Sequence, residues 1–448
     1  MRARIFREYD IRGLVPEDLD RETVHLLGQG LGTYYQERGV TKVTIGRDCR
    51  LSSPEFREVL IQGLCQTGVS VLDIGMVPTP LLYYSLHQEG IDGGVQITGS
   101  HNPPEYNGFK VCLGKQTIYG DEIQKLRKLC EKGRFLKGHG NLKKVDIIKS
   151  YLKYFNNNIN MGEKPVKVIV DGGNGVGGIV APTAYGELGI EVECLHCKPD
   201  GRFPNHHPDP TLPENMEDLK SHLQNSSAHL GIGFDGDADR LGVIDRKGNI
   251  IWGDQLMIIF SRDLLEKHPG AAIIGEVKCS QVLYDDIQKH GGRPIMWKAG
   301  HSLIKGKMKE EGALLAGEMS GHIFFADRYF GYDDAIYAGG RLMEILSRKG
   351  TDLGELLQDL PKMVSTPEIR LDCPDDIKFD VVAALVEDFK KDYSVIDVDG
   401  ARVLFDGGWG LVRASNTQPV LVLRFEAENQ DRLEAIQKVV MKKLAEKM

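Results

Sequence analysis

The sequence predicts an α/β protein, with three related α/β domains that have mixed, mainly parallel sheets, followed by a small C-terminal α+β domain. Three observations support this prediction. Short β-branched runs alternate with amphipathic stretches along most of the chain, which is typical of βαβ units. The length of 448 residues corresponds to about three domains, and two or four are also compatible. After Leu360-Pro361 the pattern changes to short strands joined by turns.

The predicted strands fall into three series and a C-terminal group. In the first series a helix is predicted at 54–67, with Ser53 as its N-cap and Pro54 at its first position. The three series comprise residues 42–45, 69–74 and 94–97, then 166–170, 190–193 and 230–234, and finally 271–274, 294–297 and 313–316. The C-terminal group comprises strands at 402–405, 410–413 and 420–425 and helices at 379–391 and 431–447.

We expect domain boundaries near Asp146, Asn249 and Leu360. They divide the chain into residues 1–146, 147–249, 250–361 and 362–448. No linker between these segments is rich in glycine and serine, so we expect the domains to pack against one another.

The composition excludes several classes of protein. A net charge of -8 argues against nucleic acid as the main partner. No apolar run approaches the ~18 residues of a membrane span, and the basic N-terminal stretch lacks the apolar core of a secretory signal. Eight cysteines are too dilute here for a disulfide scaffold, so a reducing cytoplasm is the expected location. We expect small-molecule partners and a monomer or weak homo-oligomer.

One cysteine pair suggests a metal site. Cys194 and Cys197 are separated by two residues, and His206 and His207 follow. A zinc site can be built from such residues, but no second cysteine pair accompanies them, so this pattern is weak.

A glycine-rich turn suggests a different activity. Gly173, Gly175 and Gly178 follow the predicted strand 166–170 and have the outline of a dinucleotide-binding fingerprint. That interpretation would make the protein a nicotinamide-dependent oxidoreductase. A tight strand-to-helix turn explains the same glycines equally well.

Four polar stretches, far apart in the sequence, together predict a phosphoryl-transfer site. They are Thr98-Gly99-Ser100-His101-Asn102-Pro103, Asp235-Gly236-Asp237-Ala238-Asp239-Arg240, Gly317-Glu318-Met319-Ser320-Gly321-His322 and Arg413-Ala414-Ser415-Asn416-Thr417-Gln418-Pro419. The first three directly follow the last strand of a series. Ligands of open α/β sheets bind beyond the carboxyl ends of strands, which gives this placement a physical reason.

The first stretch offers Ser100 as a nucleophile. A serine nucleophile needs an exposed hydroxyl and a group nearby that stabilises charge. The surrounding residues do not form the Gly-x-Ser-x-Gly elbow of a hydrolase. Taken alone, Ser100 fits a serine that caps a turn better than it fits a nucleophile.

The second stretch offers three carboxylates at alternate positions, Asp235, Asp237 and Asp239. In an extended loop, side chains two residues apart point the same way, so all three can converge on one cation. Mg²⁺ fits because it takes oxygen ligands and retains room for water or phosphate. Arg240 and Arg246 occupy positions where a calcium-binding EF-hand loop needs glycine and glutamate, so an EF-hand is excluded. A solvated acidic turn is the alternative.

The last two stretches offer groups that hold a sugar and a phosphate. Glu318, Ser320 and His322 provide partners for vicinal sugar hydroxyls, although a helix start capped by Ser320 gives the same pattern. Arg413 can bind phosphate bidentately, and the turn at 413–417 can form a nest of N–H donors. An ordinary hairpin loop is the alternative there.

Taken together, the four stretches resemble the signature loops of the phosphohexomutase superfamily. The match runs from Phe6-Arg-Glu-Tyr-Asp-Ile-Arg-Gly13 to Pro419, in the expected order. The spelling Gly-Glu-Met-Ser-Gly-His resembles the bacterial-type phosphomannomutase/phosphoglucomutase branch, because the phosphoglucosamine mutase branch has glutamine where Met319 stands.

The resemblance implies an architecture and a set of site residues. It implies four domains around a central cleft, with Ser100 phosphorylated and Ser100, Asp235, Asp237 and Asp239 around Mg²⁺. It implies that Arg240 contacts the serine loop and its phosphate, and that Glu318 and Ser320 hold the sugar 3- and 4-hydroxyls. The non-reacting phosphate would be held by Arg413, Ser415, Asn416 and Thr417. Further matching cleft positions are Tyr9, Arg12, Lys110, Lys278, His301 and His322.

The activity implied is a reversible shift of phosphate between the 1- and 6-positions of a hexose, mannose or glucose, through phosphoserine and a bound hexose 1,6-bisphosphate. Phosphoglucosamine mutase activity is the nearest alternative. The acceptor hydroxyl needs a base, and Lys110, His101, His301 and His322 are candidates that spacing alone does not rank.

Overall fold

The computed structural model describes residues 1–416 and 418–448. Thr417, which is predicted to bind phosphate, lies outside the described residues. The chain forms four sheets in succession. The first three are mixed sheets that belong to α/β domains, and the fourth is antiparallel.

The first domain has a seven-stranded sheet in the order β1-β5-β4-β2-β3-β7, with β6 paired to β5. Its strands are β1 (Ile11–Leu14), β2 (Lys42–Arg47), β3 (Ser70–Met76), β4 (Gly93–Ile97), β5 (Tyr106–Leu113), β6 (Gln116–Thr117) and β7 (Leu142–Lys144). Its helices are α1 (Arg21–Gln36), α2 (Ser53–Gln66), α3 (Thr79–Ser85) and α4 (Asp121–Lys132).

The second and third domains have five- and four-stranded sheets, in the orders β12-β11-β10-β8-β9 and β14-β13-β15-β16. The second contains α5 (Ile148–Asn158), β8 (Lys167–Asp171), α6 (Gly177–Gly186), β9 (Glu191–Leu195), α7 (Glu217–Gln224), β10 (Leu230–Phe234), β11 (Leu241–Asp245) and β12 (Ile250–Ile251). The third contains α8 (Gly253–Lys267), β13 (Ala272–Glu276), α9 (Gln281–Lys289), β14 (Arg293–Trp297), α10 (His301–Glu311), β15 (Leu315–Gly317), β16 (Ile323–Phe325) and α11 (Ala335–Lys349).

The fourth domain has a six-stranded antiparallel sheet, in which β17, β22, β21, β20 and β19 are neighbours and β18 also pairs with β22. Its elements are β17 (Val364–Ser365), β18 (Ile369–Asp372), α12 (Lys378–Phe389), β19 (Ser394–Ile396), β20 (Ala401–Phe405), β21 (Gly408–Ala414), β22 (Val420–Ala427) and α13 (Gln430–Ala445). This is the α+β domain that the sequence predicts.

The three α/β domains share one topology. In each, two parallel strands flank a central strand, and an antiparallel strand pairs with the third strand to form a hairpin. The hairpins join β4 to β5, β10 to β11 and β15 to β16. The first three polar stretches are the loops of these hairpins, so one position of a repeated unit carries all three.

The buried core connects the first three domains. One continuous cluster contains Leu82 of α3, Val170 of β8, Ile273 of β13 and Tyr337 of α11, each 0% exposed. The fourth domain has its own core. Because apolar side chains continue across the domain contacts, the hairpin loops of the first three domains are held in fixed relative positions.

The predicted N-cap of α2 is wrong. Helix α2 begins at Ser53 itself, and the preceding Ser52 makes no side-chain cap. The Ser53 hydroxyl instead donates to Asp48 Oδ1 at 2.6 Å. The competing acceptor is a buried carboxylate in the segment before the helix, and helix propensity does not reveal it.

Across residues 1–416 and 418–448, no helix has both the length and the apolar character needed to cross a bilayer.

Candidate active site

Ser100 lies in the hairpin loop after β4, at the carboxyl end of the strand. Its backbone has φ 51°, and its N–H donates to Thr98 Oγ1 at 2.8 Å. Its hydroxyl lies 2.9 Å from Asp235 Oδ2 and 3.1 Å from His101 Nδ1. The structure therefore brings together the serine and the first predicted metal-binding carboxylate, 135 positions apart.

The loop around Ser100 is held by Arg50, a residue that the sequence did not single out. Arg50 is 0% exposed. Its guanidinium donates to the carbonyls of Ser100 at 2.9 Å and of Asn102 at 2.6 Å, and also to those of Pro103 and Tyr106. Four carbonyls between residues 100 and 106 thus accept hydrogen bonds from one planar guanidinium.

Asp48 supports Arg50 from the other side. Its carboxylate accepts from Arg50 Nε at 3.1 Å and from the N–H of Gly99 at 3.2 Å. A Cβ at Gly99 would lie 2.5 Å from the Arg50 guanidinium, so only glycine allows this approach. The signal available in the sequence was a pair of charged residues directly after β2, at the edge where the other loops lie.

The three aspartates of the second stretch converge as predicted. Asp235, Asp237 and Asp239 are each 0% exposed, and their nearest oxygens lie within 4.8 Å of one another. Asp235 Oδ1 accepts the N–H groups of Asp239 at 3.1 Å and Arg240 at 3.2 Å, which fixes the loop.

Lys110 and Thr79 supply the protein's own partners for the aspartates. Lys110 Nζ lies 2.8 Å from Asp237 Oδ2 and also pairs with Asp239, and the Thr79 hydroxyl donates to Asp237. Burial disfavours the ammonium, but Asp237 and Asp239 outweigh it and raise the pKa of Lys110. Lys110 is therefore a fixed cation among the carboxylates.

The cluster has the properties of a site for a hard cation. Asp237 Oδ1 is buried and has no hydrogen-bond partner among the described residues. Burial and the carboxylates of Asp239 and Asp237 raise the pKa of Asp235 well above its usual range. Buried oxygens in mutual repulsion, one of them without a donor, are what a divalent ion would satisfy. The residues present thus fit a bound metal ion.

The third stretch forms a chain of polar contacts that reaches the aspartates. His322 Nδ1 lies 2.8 Å from Glu318 Oε2 and 3.0 Å from Ser320 Oγ, and its Nε2 lies 3.2 Å from Asp239 Oδ1. Burial alone would lower the pKa of His322, but the carboxylates of Asp239 and Glu318 raise it to about 10. His322 is accordingly an imidazolium.

The other two predicted histidines are neutral. Burial, with Lys305 and Lys110 nearby, lowers the pKa of His301 well below its usual range. The Lys305 ammonium lies 3.2 Å from His301 Nδ1. Burial and the guanidinium groups of Arg240 and Arg12 do the same to the pKa of His101.

Arg12 and Arg240 add positive charge beside the Ser100 loop. Arg12 Nη1 donates to Asn102 Oδ1 at 3.2 Å, and its Nε donates to Asp10 Oδ1 at 2.9 Å. Arg240 Nη1 lies 3.6 Å from Asp209 Oδ1, and its Nε is buried with no hydrogen-bond partner among the described atoms. Arg240 Nε therefore remains available to an anion at the serine, and Arg12 adds positive charge beside the loop.

The fourth domain contributes the far wall of the cleft. Arg413 Nε donates to Asp399 Oδ2 at 2.9 Å, and the same oxygen accepts the N–H of Ala299 at 3.0 Å. Asn416 donates to the hydroxyl of Tyr9, which itself donates to the carbonyl of Ala299 at 3.2 Å. Tyr9 of the first domain thus touches the third and the fourth.

Two further predicted residues line this wall. Ser415 Oγ accepts the N–H of Gln418 at 3.2 Å. Lys278 Nζ lies 3.2 Å from Glu368 Oε2 and 3.7 Å from Glu276 Oε1. Burial opposes the ammonium, but Glu276 and Glu368 raise the pKa of Lys278. Glu276 and Asp399 were not identified from sequence, because no local motif marks them.

The glycine-rich turn after β8 has a packing explanation. A Cβ at Gly175 would lie 2.7 Å from the Gly236 carbonyl, and one at Gly178 would lie 2.2 Å from that of Cys197. The N–H of Val176 donates to the Gly236 carbonyl at 3.1 Å. Gly175 allows the turn to pack on the aspartate loop, and Gly178 allows it to pack on the segment after β9, so a dinucleotide is not needed to explain these glycines.

Comparison with known proteins identifies the family. The chain matches the models for the phosphoglucomutase/phosphomannomutase alpha/beta/alpha domains I, II and III over residues 3–137, 149–248 and 252–364. It matches the C-terminal domain of the same family over residues 368–443.

Individual proteins agree with the family match. The chain is 49% identical over 443 residues to a phosphomannomutase/phosphoglucomutase of Pseudomonas aeruginosa, covering 99% of this chain and 96% of that one. It is 47% identical over 439 residues to a phosphoglucomutase of Neisseria meningitidis, covering 97% and 95%. A solved phosphoglucomutase/phosphomannomutase family protein of Burkholderia thailandensis superposes with a TM-score of 0.93 at 42% identity, covering 100% of this chain and 98% of that one.

These findings confirm the resemblance and the fold class that the sequence predicts. Four domain models match in order along almost the whole chain, and long relatives share nearly half of its residues. The protein is therefore an enzyme of the phosphoglucomutase/phosphomannomutase family.

Proposed function

We propose that this enzyme transfers a phosphoryl group reversibly between the 1- and 6-positions of a hexose phosphate, mannose or glucose, through phospho-Ser100 and a bound hexose 1,6-bisphosphate. The contact of 2.9 Å between Ser100 Oγ and Asp235 Oδ2, inside a buried group of carboxylates, carries the proposal. Relatives named phosphomannomutase/phosphoglucomutase and phosphoglucomutase support the choice of sugars. We also propose the division into residues 1–146, 147–249, 250–361 and 362–448, which the domain matches over residues 3–137, 149–248, 252–364 and 368–443 support.

The proposed metal ion is Mg²⁺, held by Asp235, Asp237 and Asp239 together with an oxygen on Ser100. When bound, the ion supplies Lewis-acid neutralisation of charge on the transferring phosphoryl group. Phosphoserine carries about -1.5 to -2 charges near neutral pH. Arg12 and Arg240 lie beside the same loop and reduce the repulsion between this group and the phosphate of the sugar.

Each transfer breaks one P–O bond and forms another. The bond from Ser100 Oγ to phosphorus breaks, and a bond from phosphorus to the free sugar hydroxyl forms. The sugar hydroxyl loses its proton and Ser100 Oγ gains one. In the second half, the other phosphate of the bisphosphate returns to Ser100, and the proton moves in reverse.

The ionisation states separate the candidate bases into two cations and two neutral imidazoles. Lys110 and His322 are held as cations by carboxylates, so they neutralise charge and do not accept protons. His101 is neutral, and its Nδ1 lies 3.1 Å from Ser100 Oγ. We assign His101 the exchange of the proton at the serine oxygen. His301, also neutral, is assigned to the cleft wall as a hydrogen-bonding group.

The remaining residues position the sugar. Glu318 and Ser320 are proposed to hold its hydroxyls, since both contact His322 and can exchange that partner for a ligand. The non-reacting phosphate is proposed to bind Lys278, Arg413, Ser415, Asn416 and Thr417. Tyr9 joins this group to the first domain. The bisphosphate can then reorient, so that each of its phosphates occupies in turn the site at Ser100 and the site of the non-reacting phosphate.

The test is intact-mass analysis with peptide mapping of the purified enzyme. We expect one phosphate on Ser100, removed on incubation with glucose 6-phosphate or mannose 6-phosphate. Ser100→Ala should lower the interconversion by on the order of 1,000-fold or more, while ligand binding measured by calorimetry is retained. Ser221→Ala, at an exposed serine of the second domain, is the matched control. An undiminished rate in Ser100→Ala would exclude the proposed donor.

A further inference from the structure

A second group of metal-ligating side chains lies in the second domain, apart from the aspartate triad. Asp171 ends β8, and His196 directly follows the neighbouring parallel strand β9. His206 comes from the loop beyond. One donor atom from each of the three residues lies within 4.8 Å of the other two. The carboxyl ends of adjacent parallel strands therefore bring a carboxylate and two imidazoles together.

Two of the three side chains are already oriented. Asp171 is 2% exposed, and its Oδ1 accepts the N–H of Gly173 at 2.8 Å, which leaves Oδ2 directed at His206. His206 Nδ1 donates to the carbonyl of His207 at 3.0 Å. Because a carboxylate oxygen only accepts, His206 Nε2 donates to Asp171 Oδ2 in this structure. A metal ion would displace that proton, and an Nδ1–H bound to a carbonyl is typical of histidines that ligate metals.

The spacing is close to that of a tetrahedral site. His206 Nε2 lies 3.0 Å from Asp171 Oδ2. Ligands about 2.0 Å from a tetrahedral zinc ion are about 3.3 Å apart. His196 Nε2 also lies 3.1 Å from Asp218 Oδ2, and Asp218 is half-exposed, so a fourth ligand or water has access. The three donor atoms lie within 4.8 Å of one another, so they would have to approach by up to about 1.5 Å to close on an ion.

The donor set selects a different ion from the aspartate triad. Two imidazoles and one carboxylate favour a borderline transition ion such as Zn²⁺ or Co²⁺, whereas three carboxylates favour Mg²⁺. Among the described residues, no group with metal-binding spacing includes a cysteine. Of the residues in the zinc site suggested from the sequence, Cys194, Cys197, His206 and His207, only His206 belongs to this group.

We propose that Asp171, His196 and His206 form a second metal site, which binds a divalent transition ion and has a structural role. The bound ion would tie the segment after β9 to the end of β8. The turn that follows Asp171 packs on the aspartate loop through Gly175 and Gly236. The second site would therefore brace this turn, and it would not take part in phosphoryl transfer.

The first experiment uses Co²⁺ as a coloured probe, added to the full-length enzyme in excess Mg²⁺. Co²⁺ in a four-coordinate site with nitrogen ligands absorbs visible light far more strongly than Co²⁺ in six oxygens. We expect one equivalent to give the intense band. His196→Gln and Asp171→Asn should each weaken Co²⁺ binding by at least about tenfold. His139→Gln, at an exposed histidine of the first domain, should leave binding unchanged.

A second measurement needs no variant. X-ray absorption of the zinc-loaded enzyme in excess Mg²⁺ should show imidazole scattering from two histidines, and Zn²⁺ should raise the thermal unfolding midpoint. His196→Gln should retain full mutase activity with Mg²⁺, because His196 has no role in the proposed reaction. An all-oxygen shell around zinc, or an intense cobalt band that persists in His196→Gln, would overturn the proposal.

Discussion

Arg50 determines the shape of a reactive loop that lies 50 positions further along the chain. Its guanidinium is fully buried and binds four carbonyls of the loop, and Asp48 balances its charge at 3.1 Å. A planar fork of five donors can do this, whereas the ammonium of lysine has three donors at a single point. The side chain acts on Ser100 through the backbone, so it is a positioning residue.

Arg50→Lys should therefore reduce catalysis without removing any group that touches the substrate. Displacement of Ser100 by about 1 Å is expected to lower kcat/KM by on the order of 100-fold. Steady-state kinetics with glucose 1-phosphate measures this loss, and circular dichroism checks the fold. Arg21→Lys, at an exposed arginine, is the matched control and should be silent. Equal rates for the two variants would show that Arg50 does not set the loop.

Asp237 provides a separate prediction for the metal ion. Its Oδ1 is buried without a hydrogen-bond partner among the described atoms, so it is the oxygen most in need of a cation. Asp237→Asn should raise the Mg²⁺ concentration for half-maximal activity by at least about 100-fold. Chelation by EDTA should abolish the wild-type activity, and added Mg²⁺ should restore it. A rate insensitive to EDTA would contradict the proposed metal dependence.

At the scale of elements, the same hairpin carries different chemistry in three domains. Each hairpin follows the third strand of the repeated unit, and its loop supplies a serine, a group of carboxylates or a polar clamp. Helix α11 packs in the core shared by the first three domains. Its N-cap, Asp334, accepts the N–H of Tyr337 at 2.8 Å and the hydroxyls of Tyr329 at 2.6 Å and Tyr151 at 2.9 Å.

Asp334 should make the stability of the protein depend on pH. Burial raises its pKa from 3.8 to about 6 in the folded protein. A raised pKa means that the folded state favours the protonated carboxyl. The stability it contributes is therefore full below the unfolded pKa of 3.8 and is lost as the pH rises through about 6.

Asp334→Asn removes this titration, so the two proteins should differ in a pH-dependent way. The stability of the wild type relative to Asp334→Asn should fall by up to about 3 kcal/mol between about pH 4 and about pH 7. Thermal unfolding of both proteins across this range measures the difference. A difference that stays constant with pH would rule out Asp334 as the titrating group.

At the scale of the whole molecule, the cleft is closed by contacts between domains. Tyr9 joins Ala299 of the third domain and Asn416 of the fourth. A second contact buries Trp409 and Arg402 of the fourth domain, where Arg402 Nη1 donates to the carbonyls of Val277 at 2.6 Å and Cys279 at 2.8 Å. The fourth domain is thus bound to the third, and the Tyr9 hydroxyl links it to the first domain.

Tyr9→Phe should weaken this closure and leave the domains folded. Loss of two hydrogen bonds at about 0.5–1.5 kcal/mol each should lower kcat/KM by roughly 10-fold, mainly through KM. Tyr119→Phe, at an exposed tyrosine of the first domain, is the control. Asn416→Ala also removes a proposed phosphate contact, so it should lower activity by itself. In a double-mutant cycle, Tyr9→Phe should cost less in the Asn416→Ala background because the two residues share one hydrogen bond. Fully additive effects would show that the contact does not operate.

The sequence by itself determined the fold class and the four loops that form the site. Strand patterns repeat with a short period, and Ser100, Asp235 and Glu318 belong to short motifs directly after strands, so neighbouring residues carry the signal. The same reasoning failed at Ser53, where the Asp48 carboxylate, five residues earlier, accepts from the hydroxyl that local preference assigns to a helix cap.

Only the tertiary structure determines which side chains support the site and how its titratable groups are ionised. Arg50, Thr79 and Glu276 act through partners from 43 to 158 positions away, and none of them belongs to the four motifs. Only the structure distinguishes the imidazolium of His322 from the neutral His101 and His301, because pKa shifts depend on burial and on charges from other domains. Motifs record chemistry that is local in the chain, whereas ionisation is set by neighbours that are close only in space.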